Sequence, residues 1–261
     1  MKKFGLLLCM LIASICLCGC SANEPKLKEI RSRGVLRIGI KVDVPGFGYM
    51  NPITKEPEGL EIDLAKMIAQ DLLGDSNAVK MVGITAQTRE VMLNNEELDI
   101  AIATFTITPE REAKFAFTQP YYSDELGFLV RKDSGITTIT DLDKKTVGTV
   151  RFTTASEDVV SVCAARGLGI ECRNFVSFPE LHAALLNGEV DAFSVDKSIL
   201  IGYLDDQTMI LEEGYNLQEY GIATKLSNDD LAKYLEEFMR KIKEDGRLDE
   251  VLVRWQSEIE Q

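Results

Sequence analysis

A-I-A-T-F-T-I-T-P-E-R, Ala101 to Arg111, reads as a buried apolar strand that runs out into hydroxyls and then starts a helix carrying a guanidinium. Thr104, Thr106, Thr108 and Arg111 then crowd hydrogen-bond donors around one point at a strand's carboxyl end, where open α/β sheets bind small ligands. An arginine fork at such a point grips a carboxylate through two parallel charge-assisted bonds, each contributing on the order of 1.5–3 kcal/mol. The expected guest is a small acid. A plainer reading has Thr108 capping a short helix with Pro109 at its first position, but capping accounts for neither Thr104 nor Arg111.

The segments around this stretch alternate strand and helix. Upstream, Val35 to Lys41 reads as a strand, and Gly59 to Leu73 as an amphipathic helix with Leu60, Leu64, Met67, Ile68 and Leu72 on its apolar side. Val79 to Gly83 follows as a strand, Thr88 to Asn94 as a short helix, and Leu98 to Ala103 as the nearly all-apolar strand of a parallel sheet. The second half repeats the scheme with strands at 146–150, 170–176 and 190–195 and helices at 155–166 and after Pro179. Two segments rhyme: Leu93-Asn94-Asn95-Glu96-Glu97-Leu98-Asp99 matches Leu186-Asn187-Gly188-Glu189-Val190-Asp191. Five residues past each aspartate stand Thr104 and Asp196, so corresponding strands of two α/β lobes end in polar groups that face each other across a cleft. Gly127 to Lys132 and Tyr220 to Lys225 are expected to be the crossing strands, with hinge motion confined to them. The closing helices, at 229–243 and 248–258, then return to the first lobe.

Composition bounds the function. The chain has 261 residues, 45% of them hydrophobic, and a formal charge of −13, which excludes a nucleic-acid partner because that needs a basic face. Lys2 and Lys3 precede an apolar run from Phe4 to Cys18 that is too short for a membrane span and suits a secretory signal. The run ends in Leu17-Cys18-Gly19-Cys20, which resembles the lipobox of bacterial lipoproteins, with Cys20 lipidated as the mature amino terminus. Loss of residues 1–19 removes two lysines and moves the charge to −15, so any anion site must be built locally. Residues 20–34 suit a tether with a short leading helix stopped by Gly34. Cys163 and Cys172 are either a disulfide in an oxidising exterior or two free thiols.

The site reading places Lys41, Arg89 and Arg111 on the rim of one lobe, and three cations favour a dicarboxylate. Lys41 and Arg89 as ordinary solvated charges is the alternative. From the opposite lobe, Thr153-Thr154-Ala155-Ser156-Glu157 has capping-box spacing from Thr154 to Glu157, and a helix amino terminus there favours an anion. Asp196 supplies the opposite sign, able to accept from an α-ammonium group or to cap the helix starting at Lys197. Phe47, Tyr49, Tyr121 and Tyr122 offer apolar walls or core packing.

These residues carry a family resemblance. Gly59-Leu60-Glu61-Ile62-Asp63-Leu64 with Ala65-Lys66-Met67-Ile68-Ala69, the stretch T-F-T-I-T-P-E-R, Pro120-Tyr121-Tyr122 and V-D-A-F-S-V-D-K-S-I-L resemble segments of solute-binding protein family 3, the extracellular amino-acid receptors of ABC importers. The match runs from about Val35 to the carboxyl terminus and is closest to the aspartate/glutamate binders. It implies an α/β, two-lobed periplasmic-binding-protein-like (type II) fold, with 35–126 and 220–261 forming one lobe and 127–219 the other. It further implies that Arg111 and Thr106 hold an α-carboxylate, Asp196 an α-ammonium, Arg89, Lys41 and Thr104 a side-chain carboxylate, and Thr153 and Thr154 the grip from the second lobe. The partners implied are an amino acid, ABC permease subunits and a membrane reached through the lipid, with the receptor itself a monomer. Phe152 stands where many relatives have glycine, and Phe178 where the aspartate binder has a ligand-contacting tyrosine, so aspartate, glutamate and a neutral ligand such as glutamine stay open.

An enzyme on the same fold is the rival class. His182, the one histidine, lies mid-helix in E-L-H-A-A-L-L, and the sequence offers no cysteine nucleophile, metal-ligand cluster or glycine-rich phosphate loop. Glu61 and Asp63, two apart on a helix, do not face each other as an acid/base pair. No cofactor and no metal are expected. A membrane sensor would need a membrane segment and a signalling domain in addition.

Overall fold

The computed structural model describes residues 25–259; the expected signal segment 1–19 and Cys20 lie outside them. Helix α1 (Lys26–Arg33) stops at Gly34, whose φ of +68° is the left-handed conformation that closes a helix. Strand β1 (Leu36–Ile40) leads into a small antiparallel meander, β2 (Asp43–Val44), β3 (Gly48–Met50) and β4 (Pro57–Glu58). Helix α2 (Leu60–Leu73), β5 (Val79–Gly83), α3 (Arg89–Asn94), β6 (Ile100–Ile102), the single turn α4 (Pro109–Glu112) and β7 (Phe115–Phe117) follow. The long β8 (Tyr122–Arg131) opens the second lobe, which continues with β9 (Thr146–Val150), α5 (Thr154–Ala165), β10 (Glu171–Phe175), α6 (Phe178–Leu186), β11 (Ala192–Asp196), α7 (Lys197–Ile201), β12 (Thr208–Ile210) and β13 (Tyr215–Tyr220). The chain then returns through β14 (Ala223–Lys225) to α8 (Asp229–Glu244) and α9 (Arg247–Ile259).

Besides the three-stranded meander, two larger sheets result, one per lobe. The first has the order β5-β1-β6-β14-β7, with β1 parallel to both β5 and β6 and β14 running antiparallel. The second has the order β10-β9-β11-β8-β12, with β13 pairing the first half of β8. Within it β10, β9 and β11 are parallel, and the chain's crossing strand β8 is antiparallel to β11. Every parallel strand therefore ends at the cleft side of its sheet, which is why the functional positions follow β1, β5, β6, β9 and β11.

The signature helix α2 shows how sequence and fold connect. Leu60, Ile62, Leu64, Ala65, Ile68, Ala69 and Leu72 are buried in one apolar face, at about 1.5–3 kcal/mol for each large side chain. Gly59 before it holds φ at +129°, and a Cβ there would lie 2.1 Å from the Phe47 carbonyl oxygen, so only glycine admits this entry.

The passages between the lobes differ from the expected Gly127–Lys132 and Tyr220–Lys225. Strand β8 begins at Tyr122 and lies wholly in the second sheet, and β14 lies wholly in the first. The crossing is made instead by 118–121 and 221–222, with Tyr121 N–H bonded to the Tyr220 carbonyl (2.8 Å) and Thr118 N–H to the Ile222 carbonyl (3.0 Å). The shift has a physical cause. The run from Tyr122 to Glu125 is polar because it pairs β13 at the surface, and β character there comes from cross-strand pairing rather than from apolar alternation. Cys163 and Cys172 are free thiols.

Candidate functional site

The carboxyl ends of the parallel strands converge on one enclosed cavity. Lys41, Ala86, Arg89, Thr104, Thr106 and Arg111 line it from the first lobe, and Thr153, Thr154, Phe178, Asp196 and Ile199 from the second. The space left between them is small, about 20 Å³. The structure thus brings together all eight residues expected at the site, each at most 9% exposed. The alternative of solvated surface charges for Lys41 and Arg89 does not hold.

Each cation is held by its own surroundings. Arg111, which follows the cap of α4, donates to the Thr106 carbonyl (2.9 Å) and across the cleft to the Phe152 carbonyl (3.4 Å). Arg89 opens α3 and donates to the carbonyls of Ala103 (3.2 Å) and Thr104 (3.4 Å). Phe105 lies under both guanidiniums, 3.9 Å from Arg89 Cζ and 5.0 Å from Arg111 Cζ to the ring centre, so the aromatic face offsets part of their desolvation. Burial lowers the Arg89 guanidinium to about 9, with the Arg111 charge adding, and burial lowers Arg111 as well. Lys41 pairs Asp43 at 2.8 Å and sits 5.0 Å from the Phe178 ring centre.

The second lobe supplies the acceptor. Asp196 sits at the amino end of α7 without capping it, and its buried Oδ1 has no partner. Burial pushes its carboxyl up to about 7, helped by the Asp124 charge. Thr153, not Thr154, caps α5: its Oγ1 accepts from Ser156 N–H (3.3 Å) and donates to the Val150 carbonyl (2.7 Å). The cap expected at Thr154 is therefore displaced by one residue, and the Thr154 hydroxyl donates to Gln218 Oε1 instead (2.7 Å). Thr108 likewise is a cap, its Oγ1 accepting from Arg111 N–H (3.3 Å), and it does not line the cavity. Phe152 is half exposed and adopts a φ of +64°, the left-handed region that favours glycine.

Behind the cavity lies a group that motif reading left without a partner. Glu61 of α2 is fully buried, and its Oε1 accepts from Tyr121 Oη and from Thr104 N–H (2.5 Å each), while Oε2 has no partner. Thr104 itself stands at φ of +41°. Burial raises the Glu61 carboxyl to about 7. Phe105, Gln218 and Tyr220 are the other missed contributors. Phe105 sat in plain view between Thr104 and Thr106, and its apolar letter within a buried strand concealed its place beneath the guanidiniums.

A cavity with a buried carboxylate facing guanidiniums from another lobe suits a zwitterion. The family model for bacterial extracellular solute-binding proteins, family 3, matches residues 36–258. The chain belongs to that family. Among relatives of this solute-binding protein, an ABC transporter glutamine-binding protein of Bacillus subtilis is 33% identical over 98% of this chain and 97% of its own. A glutamine-binding protein of Geobacillus stearothermophilus is 35% identical over 82% of each chain. Other relatives carry the names of cystine- and glutamate-binding proteins. The solved structure of a cysteine-binding protein from Campylobacter jejuni superposes with a TM-score of 0.84 at 29% identity, covering 91% of this chain and 96% of that one. The family and these neighbours fix the type II two-lobed architecture and describe binding proteins rather than enzymes. Among the described residues no helix is long and apolar enough to cross a membrane.

Proposed function

We propose that this protein is the substrate-binding lipoprotein of an ABC importer, anchored at Cys20 outside the cytoplasmic membrane after loss of residues 1–19, which captures an acidic amino acid and delivers it to permease subunits as a monomer. The observation that carries the reading is the meeting, in one cavity, of Asp196, whose buried Oδ1 has no hydrogen-bond partner, with the buried Arg89, Arg111 and Lys41. Arg111 and Thr106 take the α-carboxylate, Asp196 the α-ammonium, and Arg89, Lys41 and Thr104 a side-chain carboxylate. Thr153 and Thr154 close the grip from the second lobe. A micromolar dissociation constant needs only about −8 kcal/mol, which two charge-assisted carboxylate contacts and an ammonium contact supply after ordering costs.

One observation favours glutamine as a second reading. Asp43 lies 2.8 Å from Lys41 and cancels one of the three positive charges, which suits an uncharged amide at the side-chain end. Names of relatives support it too. Calorimetric titration of glutamate, aspartate and glutamine into the wild type and Arg89→Ala separates the two. An acid-binding site loses glutamate at least tenfold more than glutamine on substitution, whereas equal losses reject the role given to Arg89.

A further inference from the structure

The two readings of the ligand meet at Glu61. Charges at the side-chain end of the cavity are Lys41, paired with Asp43, and Arg89, with Glu61 behind it. Glu61 reaches Arg89 through a single peptide: its Oε1 accepts the Thr104 N–H, and the Ala103 carbonyl of that same peptide accepts from Arg89 (3.2 Å). The groups that face Glu61 are the Tyr121 hydroxyl on the inter-lobe passage, Lys41 at the end of β1, Arg89 on α3 and the Thr104 amide after β6. Beyond Arg89 stand Arg111 and Asp196, the pair assigned above to the ligand's α-groups. With Glu61 ionised, Lys41, Asp43, Arg89 and Glu61 sum to zero and match an amide. With Glu61 protonated the set carries one positive charge and matches a second carboxylate. The unpartnered Oε2 is the atom that would take the proton, while Oε1 keeps both donors in place.

Building on the receptor reading above, we propose that Glu61 is a specificity-determining residue that acts through Thr104 and Arg89, so that a dicarboxylic amino acid binds with uptake of one proton at Glu61 and its amide binds without it. The proton comes from solvent and no covalent bond changes. Free Glu61 titrates near 7 because burial disfavours its charge, so the linkage shows just above neutrality. Asp196 titrates in the same range, but it faces the ammonium of either ligand and cancels in their ratio.

The test is calorimetry with L-glutamate and L-glutamine on the wild-type protein from pH 6.5 to 8.5, each in two buffers of different ionisation enthalpy. The ratio of the glutamate to the glutamine dissociation constant should rise by about tenfold per pH unit above about pH 7.5, with close to one more proton taken up for glutamate. In Glu61→Gln, whose amide oxygen still accepts from Thr104 and Tyr121, the ratio should become flat. A flat wild-type ratio, or glutamine binding with no glutamate binding at any pH, overturns the inference and leaves the receptor reading intact. Binding of neither ligand contradicts the acidic-amino-acid reading and takes the inference with it. The wild-type proton count decides the matter even if the variant does not fold.

Discussion

Asp196 shows a conflict between stability and binding in a single side chain. Its carboxyl rises from an ordinary 3.8 to about 7 in the folded protein because burial removes water and Asp124 stands nearby. A raised carboxyl titration point means the folded state holds the proton more tightly than the unfolded chain. The penalty is absent below about pH 4 and grows as pH rises through 7. Asp196→Asn should therefore raise the melting temperature of the ligand-free protein at pH 8 by several degrees and leave it nearly unchanged at pH 4. The same variant should lose at least a hundredfold in amino-acid affinity. An unchanged melting temperature at pH 8, measured by scanning calorimetry, would remove the argument from burial. The sequence made these cations and this aspartate legible, since each follows a predicted strand. It did not disclose Glu61, because the two-residue spacing from Asp63 invites comparison within the helix, whereas the partners of Glu61 lie at 104 and 121.

Elements were legible where apolar periodicity alone defines them. Strand β5 and β9 coincide with the expected residues, and α2, α5, α8 and α9 shift by at most one or two. The β2 to β4 meander was not, because its strands of two or three residues are too short to show a period and are set by pairing with one another. Helix α1 illustrates an element fixed by charge rather than by its apolar face. The buried Asp99 at the start of β6 pairs Arg33 on α1, Arg37 on β1 (2.8 Å) and Lys26 (3.5 Å), and accepts from Arg37 N–H (2.8 Å). Asp99→Ala leaves those cations facing one another over a vacated acceptor. It should cost on the order of 3 kcal/mol in denaturant unfolding and speed hydrogen exchange in α1. A loss below about 0.5 kcal/mol would mean that apolar packing around Ile30 alone holds α1.

At the scale of the molecule, two lobes meet over the cavity, and hydrogen bonds run between them. Arg111 reaches the Phe152 carbonyl, and the Tyr203 hydroxyl donates to the Asp43 carbonyl at 2.5 Å, both from one lobe to the other. A ligand that touches both lobes adds to these contacts only in the closed form and so sets the balance between open and closed forms. Tyr203→Phe removes one neutral hydrogen bond of roughly 0.5–1.5 kcal/mol and should weaken affinity by about two- to tenfold, mainly through faster release. Whole-molecule architecture was legible because the strand ends of both halves rhyme, although the hinge was not, since it consists of a few residues without a period of their own. The most direct test of the central claim is a calorimetric panel of the twenty L-amino acids on the purified protein near pH 7. The electrostatics of the cavity predict that glutamate, aspartate or their amides bind in the micromolar range or tighter, ahead of every other ligand. Tighter binding of a cationic or purely apolar amino acid would contradict it.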